Sequence, residues 1–221
     1  MKNRVKWIWK GILLFILLPI ILIFSFWEAI LIHTGRFMAP HGDYIADVAI
    51  LEGNSFIDRS LVSSGENLLS SGKVKRLIVV LHSIAPVGRP FAFDEDYPGI
   101  VKKKMKDIGL KERDFKIIVT HVHHPITLTE AKGVMEDISK ENIKCAILLS
   151  EGFHTRRSYL VYQHVGNPHK IKIFPSACFT SYKLDHWWSQ EGGFRDFALE
   201  LIKLVYYLVR GYIPFKLSYS L

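Results

Sequence analysis

The chain contains only two cysteines, Cys145 and Cys178, among its 221 residues. Two cysteines are too few for a disulfide framework. Cys145 adjoins an apolar segment, so we expect its side chain to be a small part of the core. Acidic residues are also fewer than basic ones, 21 against 29. Much of the basic excess lies in the first ten residues and in Lys102–Lys106, so it does not form one nucleic-acid-binding stripe. We therefore expect no nucleic-acid partner.

Charge is absent from residues 11–27, which are mostly Ile, Leu and Phe. With Ala29–Ile32, this run is long enough to cross a bilayer of roughly 30 Å. Four basic residues precede the run, at Lys2, Arg4, Lys6 and Lys10, and no small-residue cleavage pattern follows it. The missing cleavage pattern predicts an uncleaved, single-pass anchor in a cell membrane. The basic residues before the run predict a cytoplasmic N-terminus and a domain outside the membrane. The alternative, a buried core helix, is disfavoured because no polar face interrupts the run.

Short apolar segments alternate with helical patterns after a predicted linker at residues 34–45. We expect strands at residues 46–51, 76–81, 115–119, from 146 onward, and 171–174. The patterns between and after them predict helices at residues 59–68, 100–108, 127–141, 156–163 and 194–210. Strands that are apolar on both faces indicate a mostly parallel sheet of about five strands, covered by helices on both sides. The last helix has Asp196, Glu200, Lys203 and Arg210 on one side. Its apolar face, which we expect to pack against the sheet, consists of Phe197, Leu201, Leu204, Val205 and Leu208.

The segment Ala146–Ser158 passes from a buried strand through a polar turn into a helix. Open α/β sheets bind ligands at this kind of junction. His154, Arg156 and Arg157 stand at the predicted helix start, where free backbone N–H groups and guanidinium groups suit an anion. The alternative is a helix start with solvated arginines.

Other polar side chains follow other predicted strands. Glu52, His82 and His121 would lie at the same edge of the sheet as His154. We predict Glu52 or Glu130 as a general base and His154 as a general acid, with the arginines stabilising negative charge. The alternative for Glu130 is structural, because Thr127 and Glu130 have the spacing of a helix capping box.

Two further chemistries are less well supported by the sequence. His121, His123 and His124 alternate like the start of a metallo-β-lactamase zinc site, but Pro125 and Ile126 replace the later ligands. We therefore predict no metal site. Ser150 lacks the Gly-x-Ser-x-Gly context of a serine nucleophile, and Ser55 has only Asn54 beside it.

The sequence resembles the YdcF/SanA/ElyC family, a domain-of-unknown-function family, over about residues 46–211. The resemblance rests on Asp47 with its strand, on Thr127–Ala131, and on the Ser150–Ser158 segment with its His-x-x-Arg pattern. Trp187-Trp188, Gly192-Gly193, Glu200 and Tyr206-Tyr207 are similar to the tail of one branch. The resemblance implies a Rossmann-like three-layer sandwich spanning residues 46–221, an N-terminal anchor within residues 1–33, and a role in bacterial envelope integrity or cell-wall precursor metabolism.

The chain departs from this family at two turns. Glu52-Gly53-Asn54-Ser55 replaces a glycine-rich turn, and His82-Ser83 replaces Ser-Gly-Gly. A ligand would then meet side chains where the family exposes backbone. The complete set of predicted ligand-binding residues is Asn54, Arg59, His82, Thr127, Ser150, Arg156 and Arg157.

Two classes of function remain open. One is an envelope-anchored enzyme of hydrolase or transferase type, acting on a phosphate-bearing or glycan precursor, which is either a small anionic molecule or linked to a lipid. The other is a module that binds or scaffolds such a ligand without turnover. A nucleotide or S-adenosylmethionine binder also suits the fold, but it would have to face the cytoplasm, and we expect no cofactor.

The charge bias predicts that the domain lies outside the cytoplasmic membrane. A C-terminal phosphatase fusion should be active, and a C-terminal reporter that fluoresces only in the cytosol should stay dark. Reversing the charges of Lys2, Arg4, Lys6 and Lys10 should weaken this orientation. An active cytosolic reporter with an inactive phosphatase would refute the placement.

Overall fold

The computed structural model describes Phe15, Leu17 and residues 25–53, 59–83 and 97–216. Residues 25–38 are helical, and this helix is named α1. The strands are β1 (Val48–Leu51), β2 (Arg76–Ser83), β3 (Phe115–His121), β4 (Cys145–Glu151) and β5 (Lys172–Cys178). The later helices are α2 (Arg59–Ser70), α3 (Tyr97–Asp107), α4 (Ile126–Ile138), α5 (His154–Gly166) and α6 (Glu191–Val209).

The five strands form one sheet in the order β3-β2-β1-β4-β5, and every pair is parallel. The chain therefore builds outward from β1 on one side and then crosses to β4 on the other. The reversal of direction between β1 and β4 is a topological switch point, where the loops after the two strands diverge and leave a crevice. The predicted α/β class with a parallel sheet of about five strands is confirmed.

Two apolar clusters cover the two faces of the sheet. One contains Leu61 of α2 together with Val101 and Met105 of α3. The other contains residues of α4 and α5, such as Val134 and Leu160. Strand residues alternate between the two clusters because successive side chains point to opposite faces of a sheet. The result is a three-layer arrangement of helix, sheet and helix.

Helix α1 packs onto this domain through its C-terminal end. Met38 is buried in the second cluster, and the indole Nε1 of Trp187 donates to the carbonyl of Leu31 at 3.0 Å. Residues 34–38, the start of the predicted linker, thus belong to a helix. Most of the predicted span at residues 11–27 lies outside the described residues, as do the basic residues before it. Among the helices that are described, none combines the length and apolarity that crossing a membrane requires.

The last helix differs from the expectation in the face that it buries. Leu204 of the predicted apolar face is buried, and Phe197 and Leu208 pack against the core. Leu201 and Val205 of that face are exposed, whereas Glu200 is buried. The helix packs against α5 and the short helix Leu184–Ser189. The prediction placed Glu200 on the solvent side because the residue is acidic. The structure instead buries Glu200 against cationic partners on α5.

Gly193 lies where α6 meets the main chain of Trp187, since an added Cβ would overlap the carbonyl group of that residue. Its neighbour Gly192 has open space around the same position. We predict that Gly193→Ala lowers the free energy of unfolding by about 1–3 kcal/mol, the usual cost of overpacking.

The matched control is Gly192→Ala. This change should be neutral or stabilising by up to about 1 kcal/mol, because alanine favours a helix. Chemical denaturation of both variants measures the difference. Equal effects of the two substitutions would show that close packing at Gly193 does not set the position of α6.

Candidate functional site

A cavity of about 720 Å³ opens at the carboxyl ends of the strands. Glu52 and Gly53 follow β1, His82 is near the end of β2, and His154 begins α5 after β4. The cavity therefore lies beside the switch point between β1 and β4. Its lining also includes His124, Thr127, Glu130, Phe153, Arg157, Tyr182, Glu200, Lys203, Tyr206, Tyr207 and Tyr212. The sequence prediction of a cleft at this edge agrees with the geometry.

The turn between β4 and α5 sets the position of His154. Gly152 has a φ of 49°, a left-handed conformation that glycine adopts without a steric penalty. Its N–H donates to the carbonyl of Cys178 on β5 at 2.7 Å, and Thr155 Oγ1 donates to the carbonyl of Gly152 at 2.7 Å. The turn thus fixes the first residue of α5 to the sheet, and that residue is His154.

Glu52 is buried and bonded to two residues of α5. Its Oε1 lies 2.9 Å from His154 Nε2 and also accepts a hydrogen bond from Ser158. Its other oxygen, Oε2, is buried without a hydrogen-bond partner in the described part of the chain. An unsatisfied buried carboxylate oxygen is costly, so a group of this kind at a cavity suggests a position for a ligand or a proton.

His154 is held between two carboxylates, with Nε2 toward Glu52 and Nδ1 3.3 Å from Glu200. Burial lowers the pKa of His154, and so does the charge of Arg157. The charge of Glu52 and the hydrogen bonds to Glu200 and Glu52 outweigh both and raise this pKa to about 9. This shift favours an imidazolium at neutral pH. The 2.7 Å contact between Arg157 Nη2 and Nδ1 opposes that form, because a protonated Nδ1 and a guanidinium N–H are both donors and cannot bond to each other.

Glu200 connects α6 to this site. It accepts from Arg157 through both oxygens, with Nε to Oε2 at 2.9 Å and Nη2 to Oε1 at 3.2 Å. Lys203 adds a contact of 2.9 Å. Burial raises the pKa of Glu200, but bonding to His154 and the positive charges of Arg157 and Lys203 hold it well below its usual range. Glu200 therefore stays ionised and balances the cations of α5.

A second carboxylate–histidine pair lines the same cavity. Glu130 contacts His82 Nε2 through Oε2, and its Oε1 accepts from the hydroxyl of Tyr162 at 2.5 Å. Burial raises the pKa of Glu130, the charge of Glu52 adds to the rise, and the bonds to His82 and Tyr162 oppose it. The close approach of His82 also requires Gly53, where an added Cβ would lie 3.0 Å from the ring.

The capping-box alternative for Thr127 and Glu130 is wrong. Helix α4 begins at Ile126, with Pro125 as its N-cap residue and no side-chain cap. Thr127 Oγ1 instead accepts from Arg157 Nη1 at 2.7 Å, and Glu130 bonds to His82 and Tyr162. Both side chains face the cavity because they lie on the side of α4 that packs against α5.

Three predicted ligand-binding residues that the structure describes are not part of this arrangement. Arg156 is buried with its guanidinium 4.1 Å above the ring of Phe37, away from the cavity lining. Ser150 is fully buried within β4, and Arg59 is exposed at the first residue of α2; neither lines the cavity. Asn54 lies outside the described residues. Only Arg157 of the two adjacent arginines therefore reaches the site, since neighbours on a helix point about 100° apart.

The histidines after β3 do not assemble into a metal site. His121 and His123 are exposed, and His124 lines the cavity. Within residues 25–53, 59–83 and 97–216, no group of three or more His, Cys, Asp or Glu side chains is placed to hold a metal ion.

Four residues of the polar network were not among the predicted site residues: Ser158, Tyr162, Glu200 and Lys203. Ser158 and Tyr162 follow His154 by four and eight residues, which places them on one face of α5. That spacing could have identified them. Glu200 gave no such signal, because an acidic residue on an amphipathic helix normally faces water.

The fold and site define a doubly wound α/β protein with a polar cleft at its switch point. Comparisons of the chain with protein-family models, with curated proteins and with solved structures found no match.

Arg157 connects α4, α5 and α6 through a planar guanidinium group. Lysine would retain the charge but could not bond to Glu200 and Thr127 at the same time. We predict that Arg157→Lys lowers the free energy of unfolding by roughly 2 kcal/mol, the value of charged hydrogen bonds that are lost. Chemical denaturation at neutral pH measures this change in the free energy of unfolding.

The matched control is Arg195→Lys, since Arg195 is an exposed residue of α6 whose neighbour is Asp196. The control should change stability by less than about 0.5 kcal/mol. Equal stability of the two variants would contradict the role given to the guanidinium fork.

Proposed function

We propose that the protein is a membrane-anchored, extracytoplasmic enzyme of hydrolase or transferase type whose cleft performs proton transfer. One observation carries the proposal: Glu52 and His154 are paired at the cavity while Oε2 of Glu52 has no partner among the described residues. A carboxyl group with a free oxygen beside a histidine of raised pKa is what general acid–base catalysis needs.

The roles follow from the charge of each group. In this mechanism Oε2 of Glu52 takes the proton of a water or hydroxyl group, whose oxygen forms the new bond to phosphorus or to a sugar carbon. The bond to the leaving oxygen breaks, and His154 gives that oxygen its proton. The raised pKa of His154 keeps the proton on the ring at neutral pH, as an acid requires. Ser158 and Glu200 hold the pair in place.

An anionic ligand is supported by the cations of the lining. His154, Arg157 and Lys203 all face the cavity, and Lys203 is more than half exposed. Arg157 is already bonded to Glu200 and Thr127, so its contribution is mainly electrostatic. Tyr206, Tyr207 and Tyr212 give the same cavity an aromatic wall that suits a glycan or an apolar chain. A phosphate-bearing or glycan precursor, small or lipid-linked, is the ligand class we propose.

The envelope setting rests on the sequence. The uncharged run at residues 11–27, the basic residues before it and the resemblance to the YdcF/SanA/ElyC family all support it. A non-catalytic binding module is the competing proposal, since the same cleft could hold a ligand without turnover.

Substitution of Glu52 separates these proposals. The full chain in detergent is incubated with inorganic phosphate, N-acetylglucosamine 1-phosphate and dodecyl phosphate; thermal shift reports binding and released phosphate reports turnover. We expect Glu52→Gln to retain binding and to lose turnover by at least about 100-fold, as for a lost general base.

The matched control is Glu136→Gln, an exposed acid of α4, which should leave both readouts unchanged. Binding by the native chain with no release of phosphate would favour the binding module. Turnover that survives in folded Glu52→Gln would refute the role of Glu52.

A further inference from the structure

Helix α6 exposes a broad apolar face. Phe194, Ile202, Val205 and Val209 are exposed by 60%, 66%, 51% and 74%. They recur at intervals of three, four and eight residues, so they lie along one side of the helix. Leu199, Leu201 and Tyr206 widen this face and are also at least 40% exposed.

The opposite side of α6 is already occupied. Gly193, Glu200, Leu204 and Tyr207 are buried against the domain. The helix is therefore apolar on its free side as well as on much of its packed side, a composition that occurs where both sides are covered. From Phe194 to Val209 the free face is about 22 Å long, at 1.5 Å per residue. A contiguous exposed patch of this kind marks an interaction surface.

The charges around this face have one dominant sign. Arg195, Lys203 and Arg210 are exposed, whereas the exposed acids of the helix are Glu191 at its first residue and Asp196, whose side chain is 41% exposed. Arg210 also lies against the ring of Tyr212. Basic side chains and tyrosines beside an apolar face are typical of helices that lie in the bilayer interface and are drawn to anionic lipids.

The face is also linked to the end of the predicted membrane anchor. Trp187 stacks on Phe197 of α6 with ring centres 4.1 Å apart, and its indole donates to Leu31 of α1. Trp188 contacts Trp27 edge to face at 5.9 Å. In α1, Phe26, Trp27 and Ile30 are exposed; the first two end the apolar run at residues 11–27, and Ile30 follows it.

We propose that the exposed face of α6 lies on the surface of the lipid bilayer, next to the anchor. The proposal rests on the membrane anchoring proposed above. Leu199, Lys203 and Tyr206 belong both to α6 and to the lining of the cavity. Docking of α6 therefore places the cavity beside the lipid headgroups, where the cleft can receive a ligand from the membrane.

Photo-crosslinking of the full chain tests this contact. The photoreactive residue p-benzoylphenylalanine is placed at Ile202 or Val209, and the protein is reconstituted in vesicles of phosphatidylethanolamine and phosphatidylglycerol. The control position is Glu136 of α4, which is exposed and lies outside α6. We expect lipid adducts at both α6 positions at several times the yield of the control. Adducts with a second copy of the chain, or with residues 1–24, would overturn the proposal.

A charge variant keeps the test independent of folding. Ile202→Glu with Val205→Glu changes exposed residues only, so the melting temperature should stay unchanged while the lipid adduct at Val209 falls severalfold. An unchanged adduct would overturn the proposal. Resistance to alkaline carbonate is measured on the same vesicles. Extraction of the chain would refute the anchoring and the docking together, whereas a resistant chain without lipid adducts refutes docking alone.

Discussion

Burial of carboxylates at one end of the sheet determines how the site is built. Glu52, Glu130 and Glu200 are each at least nine-tenths buried. Removing a carboxylate from water costs several kcal/mol unless cations and donors replace the lost hydration. His154, Arg157, Lys203, His82 and Tyr162 supply that replacement. Helices α4, α5 and α6 are positioned so that these partners meet.

The pKa values of two carboxyl groups in the site, Glu130 and Glu200, are shifted in opposite directions. Burial raises the pKa of Glu130, which contacts His82 and Tyr162, so this carboxyl group can hold a proton. Glu200 has its pKa lowered by the cations of α5 and Lys203, so it stays ionised. Because the two pKa values shift in opposite directions, Glu130 can hold a proton and Glu200 holds a negative charge. His154 and Glu52 lie between them.

The fold was predictable because its signals are local. Short apolar strands such as Arg76–Ser83, alternating with helical patterns, define a parallel sheet, and a parallel sheet brings its strand ends together. The prediction of a parallel sheet therefore placed Glu52, His82 and His154 correctly at one edge. The role of Glu200 was not predictable, because it depends on a contact with Arg157 that is 43 residues away in sequence. Nor could the sequence show that Arg156 points away from the cleft, because the orientation of α5 decides which of the two arginines enters it.

The central claim is that Glu52 and His154 form a proton-transfer pair, with the ring held as an imidazolium. Nitrogen NMR of the full chain, with the ten histidines assigned through His154→Gln, measures this directly. Both ring nitrogens of His154 should carry protons at about pH 7.5. The ring should lose one of these protons near pH 9, and the signals of both nitrogens should shift with that midpoint. Because the charge of Glu52 raises this pKa, Glu52→Gln should move the midpoint toward the ordinary value of about 6.5. A ring that is already neutral at about pH 7.5 in the native chain would contradict the account.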